Sequence, residues 1–297
     1  MGRIDLHIHT LYSDGMLTPF EVVDEAVKNK VECIAIADHD TISAYSPELE
    51  EYAKKKGILL IPAVEISAKR KKIWFHILGY NIVFSNSHLQ ESLLKLKNAR
   101  SQYLFDVVKK LNMHGYDLNV DELNQIDIVT KAHIAQNVVE NPKNKNLLLK
   151  EFLHVPQKGE FIEKIMNENC PCYVEKYTIS LKDAVDLIKV CWGFPVLAHP
   201  MAYQYENNIF EDKILELIQE TGITAIEWNY VYVDKDWNKH NDAKKWNMFA
   251  EKYNLLSTVW SDFHFFDGVR PEIGLIHENL EHIDSNFIIK EIIKNSH

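Results

Sequence analysis

Histidine and aspartate side chains near the N-terminus have the types and the spacing of a metal site. His7 and His9 lie two residues apart in an apolar, strand-like run, and Asp14 follows them in a Ser-Asp-Gly tripeptide. Because alternate side chains of a strand share a face, His7 and His9 are predicted to bind one cation together. Asp5 shares that face and is predicted to orient one of the imidazoles through a hydrogen bond. The alternative, two unliganded imidazoles on the first strand of a buried sheet, carries a desolvation cost.

Five further segments carry the same residue types, each within or directly after an apolar run. Their polar residues are Asp38, His39 and Asp40 after residues 31–37, Glu65 after 58–64, His76 within 73–80, His199 after 195–198, and Asp262 and His264 after 256–260. Taken singly, the Asp-His-Asp run fits a solvated loop, and His76 fits a core histidine. Six segments together indicate one site, because the carboxyl ends of the strands in an α/β barrel meet on the face that carries active sites.

The apolar runs alternate with helical segments, which predicts an α/β fold with a parallel sheet covered by helices. Thr18 and Glu21 match a capping box that begins one of these helices. About seven strand–helix units predict a barrel close to the (β/α)8 type, formed by residues 1–87 and 172–297. The intervening residues 88–171 are rich in Leu, Lys, Asn and Gln, and are predicted to form an α-helical insertion, a lid over the barrel mouth.

The overall composition argues against several classes of protein. The net charge of −10 is opposite in sign to that of a general nucleic-acid binder, so no long duplex is expected as a partner. No apolar run is long enough to span a bilayer, and the N-terminus has no apolar signal segment. We therefore expect a cytoplasmic protein without membrane contact. The cysteines Cys33, Cys170, Cys172 and Cys191 are predicted to be free thiols.

Two other patterns have both a structural and a functional explanation. The dense basic run at 69–72 is predicted to be a solvated hairpin turn, and its alternative is a docking site for an oligonucleotide backbone. Aromatic residues at the end of the apolar run 225–228 and after it are predicted to be part lid and part core, with base stacking as the alternative. They are Trp228, Tyr230, Tyr232 and Trp237.

Together, the six segments resemble the motifs of the PHP (polymerase and histidinol phosphatase) family of metal-dependent phosphoesterases. The matching residues are 7–15 (H-x-H-T-x-x-S-D-G), 38–41 (D-H-D-T), 65–67 (E-x-S), 76–80 (H-I-L-G-Y), 198–200 (A-H-P) and 261–264 (S-D-F-H). The stretch at 132–135 is similar to the branch of nucleotide-bisphosphate phosphatases and oligonucleotide exonucleases. Trp260, Phe265 and Lys131 depart from the family pattern, where Gly, Gly and Arg are frequent, and these departures leave the substrate open.

The resemblance implies a distorted (β/α)7 TIM-like barrel, the PHP fold, with an α-helical insertion and two to three divalent metal ions. By position, His7, His9, Glu65 and Asp262 would hold the first ion, Glu65, His76 and His199 the second, and Asp14, His39 and His264 the third. A nitrogen and oxygen ligand set without thiolate suits Mn, Fe or Zn. Lys131 and His133 are predicted to contact a substrate phosphate, with a solvent-facing helix start as the alternative.

The resemblance further implies hydrolysis of a phosphate ester by a metal-bridged hydroxide, because metal ions lower the pKa of bound water. The expected substrate is a small nucleotide such as a 3′,5′-bisphosphate, or a short 5′-phosphorylated oligonucleotide. The residues expected to act in catalysis are Asp14, His39, Asp40, His199 and His264, of which His199, His264 or Asp40 would protonate the leaving group. The alternatives are a histidinol-phosphate phosphatase, a catalytically silent metal-binding PHP module, and an amide hydrolase.

Overall fold

Two units make up the protein in the computed structural model, which describes residues 3–126, 129–229, 231–234, 237–275 and 284–296. The first unit consists of Met1–Leu93 and Ile179–His297, and the second of Leu94–Thr178. The predicted insertion at 88–171 overlaps the second unit. No helix of the described residues combines the length and the apolar character that crossing a bilayer requires.

Strands of the first unit form a barrel that is nearly closed. They are β1 (Arg3–Ile8), β2 (Val31–Ile36), β3 (Leu59–Arg70), β4 (Ile73–Tyr80), β5 (Ile179–Ser180), β6 (Phe194–Leu197), β7 (Ala225–Asn229), β8 (Tyr232–Val233), β9 (Lys239–His240) and β10 (Leu256–Val259). The order across the sheet is β1-β2-β3-β4-β6-β7-β10, with β5 beside β3 and β8–β9 as a separate hairpin. Ile8 of β1 forms an isolated bridge with Phe263, which follows β10, and so links the two ends of this order. The predicted distorted α/β barrel is confirmed.

β4 runs opposite to its neighbours, which corrects the prediction of a parallel sheet. The pairs β1–β2, β2–β3, β6–β7 and β7–β10 are parallel, whereas β4 pairs antiparallel with β3 and with β6. The reason is the turn at Lys71 and Lys72, which joins β3 directly to β4 without a crossover helix. The prediction that the basic run is a hairpin turn is confirmed.

Pairing with β4 also extends β3 beyond the predicted strand at 58–64. β3 continues to Arg70, so Glu65 lies inside the strand and not at its end, as the sequence had suggested. His76, in the first half of β4, is the partner of Ser67. Because β4 is reversed, its first half lies at the edge of the sheet where the parallel strands end.

Helices cover the strands of the first unit and make up most of the second. The α-helices of the described residues are α1 (Pro19–Lys28), α2 (Pro47–Lys55), α3 (Ser87–Met113), α4 (Val120–Leu123), α5 (Lys131–Glu140), α6 (Lys145–Phe152), α7 (Lys158–Phe161), α8 (Leu181–Val190), α9 (Pro200–Asn207), α10 (Glu211–Thr221), α11 (Ala243–Lys252) and α12 (Ser285–Asn295). α1 begins with the predicted capping box between Thr18 and Glu21. Val22 and Val23 of α1 pack in one core cluster with Ile34 and Ile36 of β2, and each such side chain contributes roughly 1.5–3 kcal/mol.

Separate hydrophobic cores stabilise the barrel and the second unit. One cluster contains buried residues from all seven strands of the sheet order, including Leu6, Ala63 and Tyr80, and therefore fills the barrel interior. In the second unit, Val107 of α3 packs in a cluster with Ile134 of α5 and other apolar side chains. The consecutive helices that the composition of this region predicted are present.

Candidate metal centre

Six histidines and three carboxylates from distant parts of the first unit converge where the parallel strands end. Three groups of them have potential ligand atoms within 4.8 Å of one another. These groups are His7, His9 and Asp262; His39, Glu65 and His76; and His9, Asp14, His39 and His264. His199 joins the second group, because its Nε2 lies 3.1 Å from Glu65 Oε1. The structure thus brings together all nine residues predicted as metal ligands, and the role of each as a ligand stays a prediction.

Glu65 is the centre of this cluster. The distances from its Oε2 are 3.3 Å to His7 Nε2, 3.4 Å to His9 Nε2 and 2.8 Å to His39 Nδ1. Its Oε1 lies 3.1 Å from both His76 Nδ1 and His199 Nε2. The two oxygens therefore face different groups of imidazoles, which is the arrangement of a carboxylate that can bridge two cations.

Asp14 lies on the other side of the cluster. Its Oδ2 is 3.7 Å from His39 Nε2, and its Oδ1 is 3.4 Å from His264 Nε2 and 3.7 Å from His9 Nδ1. His39 faces Asp14 with one ring nitrogen and Glu65 with the other. The resemblance assigned His39 to the third ion only. In the structure its ring lies between the second and third ligand groups and belongs to both.

The unsatisfied atoms of the cluster fit a cation site. His7 Nε2 and His9 Nε2 are 3.0 Å apart, and His76 Nδ1 and His199 Nε2 are 3.1 Å apart. Imidazole lone pairs at such distances repel unless a proton or a cation lies between them. Four buried atoms make no well-formed hydrogen bond: Asp14 Oδ1, His39 Nδ1, Glu65 Oε2 and His199 Nδ1. Buried polar atoms are normally paired, so this concentration points to a ligand of positive charge.

Burial and mutual charge set the protonation of the cluster. Burial alone would raise the pKa values of Glu65 and Asp14, but the surrounding imidazoles hold both well below their usual range. For His264, burial opposes the charged form, yet Asp14 and Asp262 raise its pKa to about 9. Burial and neighbouring imidazoles lower the pKa of His9 to about 3. The carboxylates are therefore ionised at neutral pH and attract positive charge, either protons or metal ions.

Asp38 holds the loop that carries Asp14. Its buried carboxylate accepts hydrogen bonds from Thr10 N at 2.7 Å, Thr10 Oγ1 at 2.6 Å and Ser13 Oγ at 2.5 Å. Gly15 ends this turn. A residue with a side chain does not fit at this position, because its Cβ atom would lie 2.3 Å from the carbonyl oxygen of His9. The Ser-Asp-Gly tripeptide therefore has a local function, which is to direct Asp14 toward the imidazoles.

Three residues of the site have a left-handed backbone. The φ angles are 52° at Asp40, 30° at His199 and 52° at Asp262. Such angles are uncommon for residues other than glycine, and they cluster at functional sites where tertiary contacts hold them. Here Asp40 N donates to Glu65 O at 2.8 Å, and Asp262 N donates to His7 O at 3.0 Å. The turns at Asp40 and Asp262 are thus each held by the backbone of a neighbouring ligand.

Glu227 of β7 belongs to the site and was missed by the sequence analysis. The residue is fully buried, and its Oε1 lies 3.2 Å from His7 Nδ1. Its Oε2 accepts a hydrogen bond from the backbone N–H of His199 at 2.9 Å. The available signal was a single acidic residue inside the otherwise apolar run at 225–228.

Asp5 contacts His7 through the backbone and not, as the sequence had suggested, through the ring. Its carboxylate accepts hydrogen bonds from the backbone N–H groups of Ser261 at 2.9 Å, Gly274 at 2.8 Å and His7 at 3.4 Å. The pairing of β1 with β2 shifts register between Asp5 and Ile8. Such an irregularity breaks the strict alternation of side chains, so the shared face predicted for Asp5 and His7 does not hold.

The other predicted site residues lie outside the three ligand groups. Asp40 Oδ1 accepts a hydrogen bond at 2.7 Å from a backbone N–H of β3. Lys131 and His133 lie in the first turn of α5 in the second unit. Lys131 Nζ donates to Asn167 Oδ1 at 3.2 Å, and His133 Nδ1 accepts from Thr130 N at 3.2 Å. A catalytic role for Asp40 and substrate contacts of Lys131 and His133 stay predictions.

The aromatic residues at the end of β7 and after it are divided between core and surface. Tyr232 is buried, Trp228 packs against a core cluster, and Trp237 is 60% exposed. Tyr230 lies outside the described residues. The expected contribution to the core is confirmed for Tyr232 and Trp228, and base stacking stays untested.

Comparison with known proteins gives matches that span most of the chain. The PHP domain family matches residues 5–220. The 5′-3′ exoribonuclease Rnm of Escherichia coli is 30% identical over 264 residues, which are 88% of this chain and 84% of that protein. The 3′,5′-nucleoside bisphosphate phosphatase of Chromobacterium violaceum is 27% identical over 268 residues, or 89% of this chain and 88% of that protein.

Two solved structures share the fold over nearly their full length. One, from Bifidobacterium adolescentis and assigned as a metal-dependent phosphoesterase, has a TM-score of 0.72 at 21% identity and covers 98% of this chain and 96% of its own. The other, an amidohydrolase from Chromobacterium violaceum with bound sulfate and no metal, has a TM-score of 0.72 at 24% identity, with coverage of 99% and 97%. At these identities the likeness shows the fold alone. The family match and the full-length relatives show that the chain belongs to the PHP domain family.

Proposed function

We propose that this chain is a metal-dependent phosphoesterase that hydrolyses phosphate esters of small nucleotides. The proposal is carried by the convergence of imidazoles and carboxylates whose buried lone pairs face one another without well-formed hydrogen bonds. Divalent cations in such a cluster reverse the local field for an anionic substrate, although the net charge of the chain is −10. The family supports this chemistry, and so do the names of the relatives, an exoribonuclease and a nucleoside bisphosphate phosphatase.

The proposed cofactors are two to three divalent cations, Mn, Fe or Zn. His7, His9, Glu65 and Asp262 would hold the first, Glu65, His76 and His199 the second, and Asp14, His39 and His264 the third. Only nitrogen and oxygen donors belong to the candidate ligand groups of the described residues, and the cysteines are free. This donor set favours the three metals named. The proposed compartment is the cytoplasm, where free thiols are the rule.

In the proposed reaction, side chains of this protein bind, orient and protonate the substrate. Bound cations would supply a water of lowered pKa and would neutralise phosphate oxygens. The side chains of His7 and Glu65 are fully buried, whereas those of Asp14 and His264 are 25% and 19% exposed. His76 is 26% exposed as well, so the open face of the cluster includes members of both the second and the third ligand groups. Among the candidate acids, His264 is more exposed than His199, which is 11% exposed, and it can donate a proton only where no third cation occupies its Nε2.

The proposed substrates are nucleotide 3′,5′-bisphosphates or short oligonucleotides with a 5′-phosphate. The two relatives support both options, and each of them aligns with the second unit as well as the barrel, since the alignments cover 88% and 89% of this chain. In this proposal, Lys131 and His133 contact a substrate phosphate. The second candidate, histidinol phosphate, would need no such contact.

A direct test compares phosphate release by manganese-loaded protein from adenosine 3′,5′-bisphosphate, a short 5′-phosphorylated RNA and histidinol phosphate. We expect turnover of at least one of the first two, and its loss in Asp14→Ala and in chelator-treated protein. Glu216→Gln, a change at an exposed carboxylate, is the matched control and should retain activity. Turnover of histidinol phosphate alone would refute the nucleotide assignment. Hydrolysis of an amide without phosphate release, or no turnover by fully loaded protein, would refute phosphoesterase activity.

A further inference from the structure

Glu227 makes two contacts that no other carboxylate of the described cluster makes. Its Oε1 and Oε2 lie 3.2 Å and 3.4 Å from His7 Nδ1, on the far side of the ring from Glu65. Its Oε2 also accepts the backbone N–H of His199 at 2.9 Å. Both Glu227 and His7 are fully buried, so water does not compete for these contacts.

The contact with His7 decides which nitrogen of the ring can bind a cation. A neutral imidazole has one N–H and one lone pair, and a carboxylate accepts only from the N–H. Glu227 therefore places the proton of His7 on Nδ1 and leaves the lone pair on Nε2. That Nε2 lies 3.0 Å from His9 Nε2 and 3.6 Å from Asp262 Oδ1, inside the first ligand group.

The contact with His199 fixes a backbone and not a ring. His199 has φ 30°, and it immediately precedes Pro200, the first residue of α9. A left-handed residue is stable only when its neighbours hold it in place. By accepting the N–H of His199, Glu227 holds the turn that brings His199 Nε2 to 3.1 Å from Glu65 Oε1. The contact between His199 Nε2 and Glu65 Oε1 is part of the second ligand group.

We propose that Glu227 is a positioning residue that sets the geometry of two cation positions at once, through the ring of His7 and the backbone of His199. The inference rests on the proposed function only in requiring that cations bind at this cluster. Residues behind metal ligands orient them, and their loss typically weakens metal binding about 10–100-fold. One carboxylate that serves two groups couples both positions, so its loss weakens the first and second cations together and spares the third.

Glu227→Gln tests this coupling without a change of volume. The Gln amide can donate to His7 Nδ1, which would select the other tautomer and direct an N–H into the first ligand group. We expect an apparent Kd for Zn²⁺ about 10–100-fold weaker and loss of two cations from the count bound at micromolar metal. Glu227→Asp keeps the charge on a shorter side chain and should fall between the wild type and Glu227→Gln. This second variant keeps the test open if Glu227→Gln does not fold.

Thr258→Val is the matched control, because Thr258 is the cross-strand partner of Glu227, is equally buried and makes no hydrogen bond to a histidine. It should change stability but not the number or the affinity of bound cations. A nuclear magnetic resonance spectrum of zinc-loaded protein with ¹⁵N-labelled histidine separates positioning from simple stabilisation. We expect a slowly exchanging Nδ1–H resonance of His7 in the wild type and in Thr258→Val, and its loss in Glu227→Gln.

The proposal is overturned if Glu227→Gln binds the same number of cations with Kd within twofold of the wild type. It is also overturned if only one cation position weakens, or if Thr258→Val weakens binding to the same extent. None of these measurements uses turnover. Wild-type protein that binds cations but hydrolyses no phosphate ester would therefore contradict the proposed function and leave the role of Glu227 intact.

Discussion

Glu65→Gln removes one negative charge at the point where the first two ligand groups meet, with almost no change in volume. The carboxylate oxygens lie 2.8–3.4 Å from five ring nitrogens, so both groups lose the same charge. A carboxylate charge and a divalent cation about 4 Å apart interact by ~8 kcal/mol at an effective dielectric constant of about 20. Relief of carboxylate burial and the remaining Gln oxygen offset part of this. A net loss of roughly 3–4 kcal/mol corresponds to a Kd weaker by about 10²–10³.

Calorimetric titration of metal-free protein with Mn²⁺ and Zn²⁺ measures this loss, and elemental analysis after gel filtration counts the retained ions. We expect the wild type to retain two or three ions and Glu65→Gln to retain at most one, at the group of Asp14, His39 and His264. Glu220→Gln, which removes a half-exposed carboxylate paired with Arg70, should behave as the wild type.

A variant Glu65→Gln that retains every ion with Kd within threefold of the wild type would refute the role of Glu65 as a bridge. Retention of ions together with lost phosphatase activity would instead assign Glu65 to catalysis and not to cation binding. Loss of ions in Glu220→Gln as well would mean that the effect is one of overall stability, and the electrostatic calculation would not apply.

Three further outcomes follow from the site. Gly15→Ala should destabilise the protein by about 1–3 kcal/mol in urea unfolding and weaken cation binding, because the new Cβ atom meets the His9 carbonyl oxygen. Gly159→Ala is the control and should do neither, because the space around a Cβ atom at that position is open. The free energy of unfolding of the metal-free protein should fall as pH rises from 6.5 to about 9, by about 3 kcal/mol from His264 alone. The reason is that the His264 ring, whose pKa is raised to about 9, stabilises the fold only while it is protonated. A stability that does not change with pH over this range would contradict the prediction. Lys131→Ala should raise KM for a nucleotide bisphosphate about tenfold while bound metal is unchanged, and an unchanged KM would remove Lys131 from the substrate site.

Features that sequence reasoning predicted correctly depend on residues close together in the chain. The capping box of α1 needs only Thr18 and Glu21, and the hairpin at Lys71 and Lys72 needs only a turn between two apolar runs. Local hydrogen bonds and side-chain alternation explain both. The convergence of the six segments was predicted on a different basis, the common face of the strand ends in a barrel and the resemblance to a family.

Features that the sequence did not predict depend on register and strand direction. The apolar run of β4 predicts another parallel strand, because such a run looks the same in either chain direction. Only the pairing of β4 with β3 and β6 shows the reversal. The register shift in β1 moved Asp5 away from the imidazoles. A shift of one residue exchanges the two faces of a strand, so alternation predicts partners only where pairing is regular.

The sequence by itself determined which chemistry is available: imidazoles and carboxylates at spacings typical of the PHP family. Tertiary structure alone decided how these groups are aimed. His7 and Glu227 are 220 residues apart in the chain, yet their contact chooses the ring nitrogen that faces the other ligands. His39 faces both Asp14 and Glu65 because three separate segments meet there. The orientations of these rings and carboxylates arise from packing between distant segments, and no local pattern of residues specifies them.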